Sequence, residues 1–419
     1  MTGWLVTIGL EVHCQLATRT KMFSACPFHF GASPNTLTDA YTLALPGSLP
    51  VANREAIELG LRLALALGAE VAPRSVWARK HYFYPDLPKG YQITQADPPL
   101  ARGGSIEVAP GRRVGLLRIH LEEDAGKLVH PADPAVSLVD FNRAGAPLLE
   151  VVGEPTIASP AEAAAFLRQL RAIVRALGIS AADMQEGTLR CDANVSLRAQ
   201  ASDGLGARCE VKNLNSFKFL ERALAAEIRR QTRILADGGV VTPATLRYDV
   251  PQDRTVVMRS KESAAEYRYL PEPDLPPLEV DAAWIARVRA ALPALPPPGA
   301  REAPFRGSRA PDERRDGDGS RPHAVARPHA VEVAAASGRR ERASVRAAPT
   351  LHDAAALAAA AEAVLQRHPR PLAQYLAGKA ALRDFFVGEL MRATARQADP
   401  LRAREIIEAA LARAARGTT

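Results

Sequence analysis

Over residues 4–16 the even positions Val6, Ile8, Leu10, Val12 and Cys14 are apolar, while Gly9, Glu11, His13 and Gln15 take the odd ones. A period of two predicts a strand with one buried face, so Glu11 and His13 are expected side by side on the other face. Residues 189–198 repeat the pattern: Leu189, Cys191, Ala193, Val195 and Leu197 alternate with Arg190, Asp192, Asn194, Ser196 and Arg198. Glu210 and Lys212 share a face in the same way, opposite Cys209 and Val211. Three helices have readable ends. Asn53 caps one that stops at Gly68, and Ser159-Pro160-Ala161-Glu162 opens a second that closes at Gly178. The latter string is a capping box with proline at the first helical position. A third helix starts near Ser216, buries Leu220, Leu224 and Ile228, and ends before Gly238. Period-2 runs interleaved with a few helices predict an α+β domain built on a large mixed or antiparallel sheet.

The pattern breaks at Pro296. From there to Arg346 the chain has no Leu, Ile, Met, Trp or Tyr and repeats Arg-Pro-His-Ala-Val. Such a segment buries too little apolar surface to offset its ordering entropy, so residues 296–346 are predicted to be a disordered linker. Helical periodicity returns after it, and residues 347–419 are expected to form a small all-α tail domain. Its core should include Leu357, Val364, Leu365, Leu372, Leu376, Phe386, Leu390, Ile407 and Leu411.

With 419 residues, 47% of them hydrophobic and 24% charged, the chain has globular composition and room for two or three cored domains. No run of eighteen apolar residues occurs and the start lacks a basic leader region, which predicts a soluble cytoplasmic protein with no membrane partner. The four cysteines show no C-x-x-C spacing, which argues against a disulfide framework or a structural zinc site. Charge is uneven. Residues 1–295 carry 33 Lys+Arg against 32 Asp+Glu, and residues 296–419 carry 21 against 14. The excess in the last third suits either a polyanionic partner or a solvated Arg-rich tail.

Four acidic groupings are candidates for chemistry: Glu11 with His13; His120-Leu121-Glu122-Glu123-Asp124; Glu150; and Asp192 with Glu210. Carboxylates gathered in one cavity repel unless a cation or protonation relieves them, so convergence would imply a divalent metal. Carboxylate oxygens suit magnesium or manganese, and a histidine among them keeps manganese or zinc open. Taken singly, each is equally a surface charge paired with a nearby Arg or Lys. The loop His81-Tyr82-Phe83-Tyr84-Pro85-Asp86-Leu87-Pro88-Lys89-Gly90-Tyr91-Gln92 interleaves rings with lysine. It suits base stacking and phosphate contact, or else a small aromatic core under a loop. No glycine-rich phosphate loop is present, so a nucleotide must bind by another device.

Eight strings occur in order: GLEVHCQL (9–16), LPGSLPVAN (45–53), KHYFYPDLPKGYQITQ (80–95), IHLEEDAGK (119–127), VDFNRAGAPLLE (139–150), RCDANVSLR (190–198), EVKNLNSF (210–217) and YRYLPEPDLPPL (267–278). Together they resemble the signatures of the B subunit of tRNA-dependent amidotransferases and of its archaeal relative, the E subunit. YLAGKAALRDFFVGELMRATARQADP (375–400) is similar to that family's tail domain. The resemblance implies a cradle-like kinase domain over residues 1–295 that uses ATP to phosphorylate the side-chain carboxylate of Glu-tRNA(Gln) or Asp-tRNA(Asn). Ammonia would come from the family's amidase, its A subunit, with the small C subunit completing a heterotrimer.

Carried over by motif, Glu11, His13, Glu123 and Glu150 would hold the metal, with magnesium favoured and manganese an alternative. Glu123, Asp192, Glu210 and Lys212 would be catalytic, and Lys80, Tyr82 and Lys89 would bind the nucleotide. Three departures stand out. Only Cys26 remains where many members bear a four-cysteine zinc knuckle, so no structural zinc is expected. Ala264-Ala265-Glu266-Tyr267 lacks a histidine many members have, and residues 296–346 stand where the family has a helical domain. The last departure allows a second expectation, a catalytically impaired tRNA-binding remnant. An unrelated metal-dependent hydrolase would share the carboxylate and histidine cluster but not the eight strings.

Overall fold

A computed structural model describes residues 3–130, 136–200, 203–260, 267–300, 305, 354–376, 382–394 and 400–416. The chain divides into two compact units, 1–318 and 319–419. Apart from residues 296–300 and Phe305, the expected linker lies outside the described residues, as do Ala264, Ala265 and Glu266.

The first unit is built on a 13-stranded sheet. Its middle strand is Leu5–Gln15, which pairs antiparallel with Pro147–Gly153 on one side and Leu189–Arg198 on the other. Beyond Pro147–Gly153 lies the long strand Arg112–Glu123, and beyond that Tyr91–Gln95 and Trp77–His81. On the other flank Cys209–Leu214 follows Leu189–Arg198 and pairs parallel with Ala244–Asp249, so the sheet is mixed. The α+β expectation therefore holds.

The alternation seen along residues 4–16 is the alternation of the sheet. Ile8, Leu10, Val12 and Cys14 are fully buried, while Glu11, His13 and Gln15 are half-buried on the opposite face. All four cysteines are free and buried, Cys26 included.

Helices cover the apolar face. Helix α1 (Arg54–Ala66) approaches so closely that a Cβ on Gly60 would come within 2.8 Å of Leu100 and 3.3 Å of Leu149. Its cap Asn53 accepts from the Ala56 N–H and donates to Thr20 and Lys21 carbonyls, which ties the helix start to the preceding loop. Helix α2 (Pro160–Ala176) begins at Ser159, whose hydroxyl accepts from the Glu162 N–H. Helix α3 (Phe217–Ala236) is capped by Ser216 and buries Leu220 and Leu224, whereas Ile228 stays partly exposed. α3 also buries Glu227, held by Arg230, Gln231 and Thr255. Helix α4 (Ala282–Ala290) packs against α1.

The second unit contains helices α5 (Ala354–Arg367), α6 (Pro369–Leu376), α7 (Leu382–Ala393) and α8 (Pro400–Arg416). Leu357, Val364, Leu365, Phe386, Leu390, Ile407 and Leu411 form its core, with Leu372 packed against them. Leu376 does not join them: it ends α6 and is 36% exposed. Among the described residues no helix is long and apolar enough to cross a membrane.

Candidate active site

Because α1, α2 and α3 occupy the apolar face, the polar parity of the central strands faces a cavity of about 520 Å³. Register brings the residues together. His13 lies opposite Glu150 on one side and Arg190 on the other, and Glu11 lies opposite Asp192. Glu150 in turn faces His120 across the next ladder. The His13 Nε2 is 3.2 Å from Glu150 Oε2, 3.7 Å from Glu122 Oε1 and 3.8 Å from Glu11 Oε1. From the neighbouring strand, His120 Nε2 stands 3.5 Å from the same Glu150 oxygen and 3.8 Å from Glu122.

The electrostatics follow from that crowding. Burial pushes His13 down, but the Glu150 and Glu122 carboxylates more than offset it and raise the imidazole to about 9. Burial opposes ionisation of Glu150 too, yet His13, His120 and Lys80 hold its carboxyl at about 2. Glu11 goes the other way: burial, then Glu150 and Asp192, push its carboxyl up. One flank of the cluster thus carries negative charge that its own cations do not relieve.

Two sets of ligand atoms each fall within 4.8 Å of one another, Glu11–His13–Glu150 and His120–Glu122–Glu150. Carboxylate oxygens with one or two imidazole nitrogens, around a carboxyl pushed up by its neighbours, fit a divalent cation such as magnesium or manganese.

Of the residues singled out in the sequence, Glu11, His13 and Glu150 converge. Asp192, Lys212, Lys80 and Tyr82 line the same cavity. Lys212 lies 2.6 Å from Asp192 and 3.0 Å from Glu210, and these two carboxylates raise its amine against the pull of burial. Lys80 is raised against burial by Glu122 and Glu150, and its ammonium sits 4.6 Å above the Tyr267 ring. Tyr82, Phe83 and Tyr84 are exposed, so they are not a core beneath the loop.

Glu123 and Lys89 sit elsewhere. Glu123 has the parity of buried Leu121; its carboxylate pairs with Lys89 and accepts the Ile93 N–H at 3.0 Å. Lys89 also donates to the Tyr41 hydroxyl at 2.7 Å. The neighbour Glu122 supplies the carboxylate beside both imidazoles. His120 and Glu122 stood in one of the four acidic groupings, but the motif carry-over gave neither them nor Arg190 a role, although parity marked all three: Leu121 is apolar, so His120 and Glu122 must face away from the core, and Arg190 alternates with buried Leu189 and Cys191.

Comparison with known proteins gives the family. Residues 6–286 match the family model described as the GatB/GatE catalytic domain, and residues 344–411 match one described as the GatB domain. A protein of Janthinobacterium sp. (strain Marseille), named as the B subunit of aspartyl/glutamyl-tRNA(Asn/Gln) amidotransferase, is 55% identical over 300 residues, covering 70% of this chain and 62% of that protein. Proteins of the same name from Halorhodospira halophila and Moorella thermoacetica are 54% and 55% identical over 297 and 294 residues, each with 62% of its length covered. The chain thus spans about 62% of the length of these curated relatives. With its central sheet, its cavity and two thirds of its length falling within the catalytic-domain match, the chain belongs to the GatB/GatE family.

Proposed function

We propose that the chain is the B-type subunit of a tRNA-dependent amidotransferase. It would phosphorylate the side-chain carboxylate of Glu-tRNA(Gln) or Asp-tRNA(Asn) with ATP and expose the acyl phosphate to ammonia. The observation that carries the reading is the convergence of Glu11, His13 and Glu150, with His120 and Glu122 beside them, at a cavity of about 520 Å³ that His13 and Glu122 line. An ionised carboxylate does not react with ammonia, so activation by ATP is a chemical requirement. The carboxylate oxygen bonds to the γ-phosphorus of ATP as the bond to the bridging oxygen breaks, and ADP leaves with that oxygen. The ammonia lone pair then forms the C–N bond as the C–O bond to phosphate breaks, and inorganic phosphate leaves.

A divalent ion held by Glu11, His13 and Glu150, magnesium before manganese, would supply charge neutralisation at the phosphates. The chain's own residues do the remaining positioning. Lys80 presents its ammonium to the cavity, and Tyr82 forms part of the wall. Lys212 clamps Asp192 and Glu210, which keeps the Asp192 carboxylate at the cavity wall, placed to take the proton that ammonia sheds. A separate amidase, the A-type partner, would release the ammonia, and a small C-type partner would join the two in the cytoplasm. The helical C-terminal unit would add tRNA phosphate contacts that weaken with salt.

The test is amidation by the reconstituted assembly given ATP, magnesium, glutamine and misacylated tRNA. Glu150→Gln should lower amidation at least ~100-fold, beyond the loss typical of groups that only support a ligand. Binding of tRNA should stay within about twofold, since Glu150 is buried at the sheet and the tRNA body binds elsewhere. A wild-type assembly unable to amidate, or a variant of full activity, rejects the proposal.

A further inference from the structure

Besides the His13 imidazole, the lysines and arginine among the described residues that line the cavity are Lys80, Arg190 and Lys212, and neighbouring carboxylates neutralise them to different degrees. Lys212 stands between two, Asp192 and Glu210, so that trio is net negative. The carboxylate nearest Arg190 is Asp124, whose Oδ2 is 3.0 Å from its Nη2, while Glu122 and Asp192 act on it from farther off. Asp124 is shared, because Arg143 Nε lies 3.5 Å from the same oxygen. One carboxylate is thus divided between two guanidinium groups.

The two arginines do different things. Arg143 is committed to the backbone: Nε donates to the Ala125 carbonyl at 3.0 Å and Nη2 to the Gly126 carbonyl at 2.6 Å. This fixes the turn that follows the strand carrying His120 and Glu122. Arg190 emerges opposite His13 in the ladder and faces the cavity. Asp124 holds it mainly by charge. Oδ1 accepts the Ala125 N–H at 2.9 Å, whereas Oδ2 is buried and receives no aligned hydrogen bond despite the nearby Nη2. Asp124 meets the guanidinium at Nη2 alone, which leaves the other N–H groups of Arg190 for a ligand.

We propose that Arg190 is the oxyanion anchor of this cavity and that Asp124 is its positioning residue. The inference rests on the amidotransferase reading above. The ligand is a phosphoryl or carboxylate group, whose paired oxygens match the guanidinium fork in a way a lysine ammonium does not. Two sources present that chemistry, the γ-phosphoryl group of ATP and the side-chain carboxylate of the aminoacyl ester. Bound by Arg190, either would lie on the Leu189–Arg198 side of the cavity, across from the Glu150 cluster.

The experiment measures kcat and separate KM values for ATP and misacylated tRNA in the assembled enzyme. Arg190→Gln, Arg190→Lys and Asp124→Asn are compared, with Arg222→Gln on α3 as a remote control. Arg190→Gln should cost ~10- to 100-fold in kcat/KM, the worth of a charge-assisted pair, and Arg190→Lys should fall between it and wild type. A KM rise confined to ATP identifies the phosphoryl group, and one confined to tRNA identifies the carboxylate. Asp124→Asn should lower kcat more than it raises either KM. Arg190→Gln or Arg190→Lys within twofold of wild type overturns the anchor. Calorimetric titration with magnesium ATP separates this from failure of the functional reading, because it needs no turnover. If the wild-type assembly is inactive, titration with misacylated tRNA is run beside it: a loss of affinity for either ligand in Arg190→Gln upholds the anchor, and unchanged affinity for both overturns it.

Discussion

Glu150→Gln removes the carboxylate on which the charge of His13 depends, and the size of the effect follows from the pair. Glu150 is 4% exposed and its Oε2 lies 3.2 Å from His13 Nε2, so solvent screens the interaction little. Burial opposes both charges, yet the imidazole stands at about 9 against 6.5 and the carboxyl at about 2 against 4.5. Each displacement spans roughly 2.5 pH units, or about 3 kcal/mol. The two values describe largely one interaction and are not added.

A raised imidazole stabilises the fold fully below pH 6.5 and loses that contribution as pH rises through about 9. A depressed carboxyl contributes above pH 4.5 and loses its share as pH falls through about 2. The pair is therefore worth most between those two limits. In the metal-free variant Glu122, 3.7 Å from His13, still supports the imidazolium, so its titration should drop by one to two units, roughly half or more of the elevation. Carbon-13 histidine labelling and NMR titration read this directly. Urea unfolding near pH 5.5 should show a loss of about 2–3 kcal/mol that narrows toward pH 10. A His13 titration within half a unit of wild type, roughly 0.7 kcal/mol, refutes the reasoning.

Glu122→Gln should weaken manganese binding at least ~10-fold by calorimetry, since it takes an oxygen from beside both imidazoles. Glu123→Gln should leave that affinity within about twofold but cost about 3 kcal/mol in urea unfolding, because it strands the Lys89 ammonium; the opposite pattern would return Glu123 to the ion site. Lys212→Met leaves Asp192 and Glu210 facing each other without their cation. With the lysine side chain 35% exposed, solvent screening holds the loss to about 1 kcal/mol at pH 7. The loss should shrink in high salt, which screens the two carboxylates from each other, and a deficit independent of salt would show that Lys212 acts through packing.

Local periodicity made much of the first unit legible. The parity of residues 4–16 placed Glu11 and His13 on one face, and side-chain caps at Asn53, Ser159 and Ser216 located three helix starts. Such signals act over a few residues and carry no information about strand order. That Leu5–Gln15 would lie between Pro147–Gly153 and Leu189–Arg198 depends on pairings across more than a hundred residues. Parity did bear on Glu122 and Glu123, since buried Leu121 puts Glu123 on the core side. The motif draws attention to both carboxylates, and only the strand separates them. Leu376 shows the reverse limit: its helical spacing suits a core position, but at the last residue of a short helix it lies outside the core formed by the described residues. Buried Glu227 is beyond either signal, because Thr255 arrives from a strand 28 residues away.

The central place of Leu5–Gln15 has a consequence for synthesis. That strand can complete its ladders only after residues 147–153 and 189–198 have been made. At about 5–20 residues per second, the 183 residues between Gln15 and Arg198 take roughly 10–40 s to translate. Until residues 147–153 are made, the strand's apolar stripe and both its edges are open to pairing with other chains, and one edge stays open until residues 189–198 follow. The candidate ion-site residues share this delay, because Glu150 reaches His13 only through the same ladder.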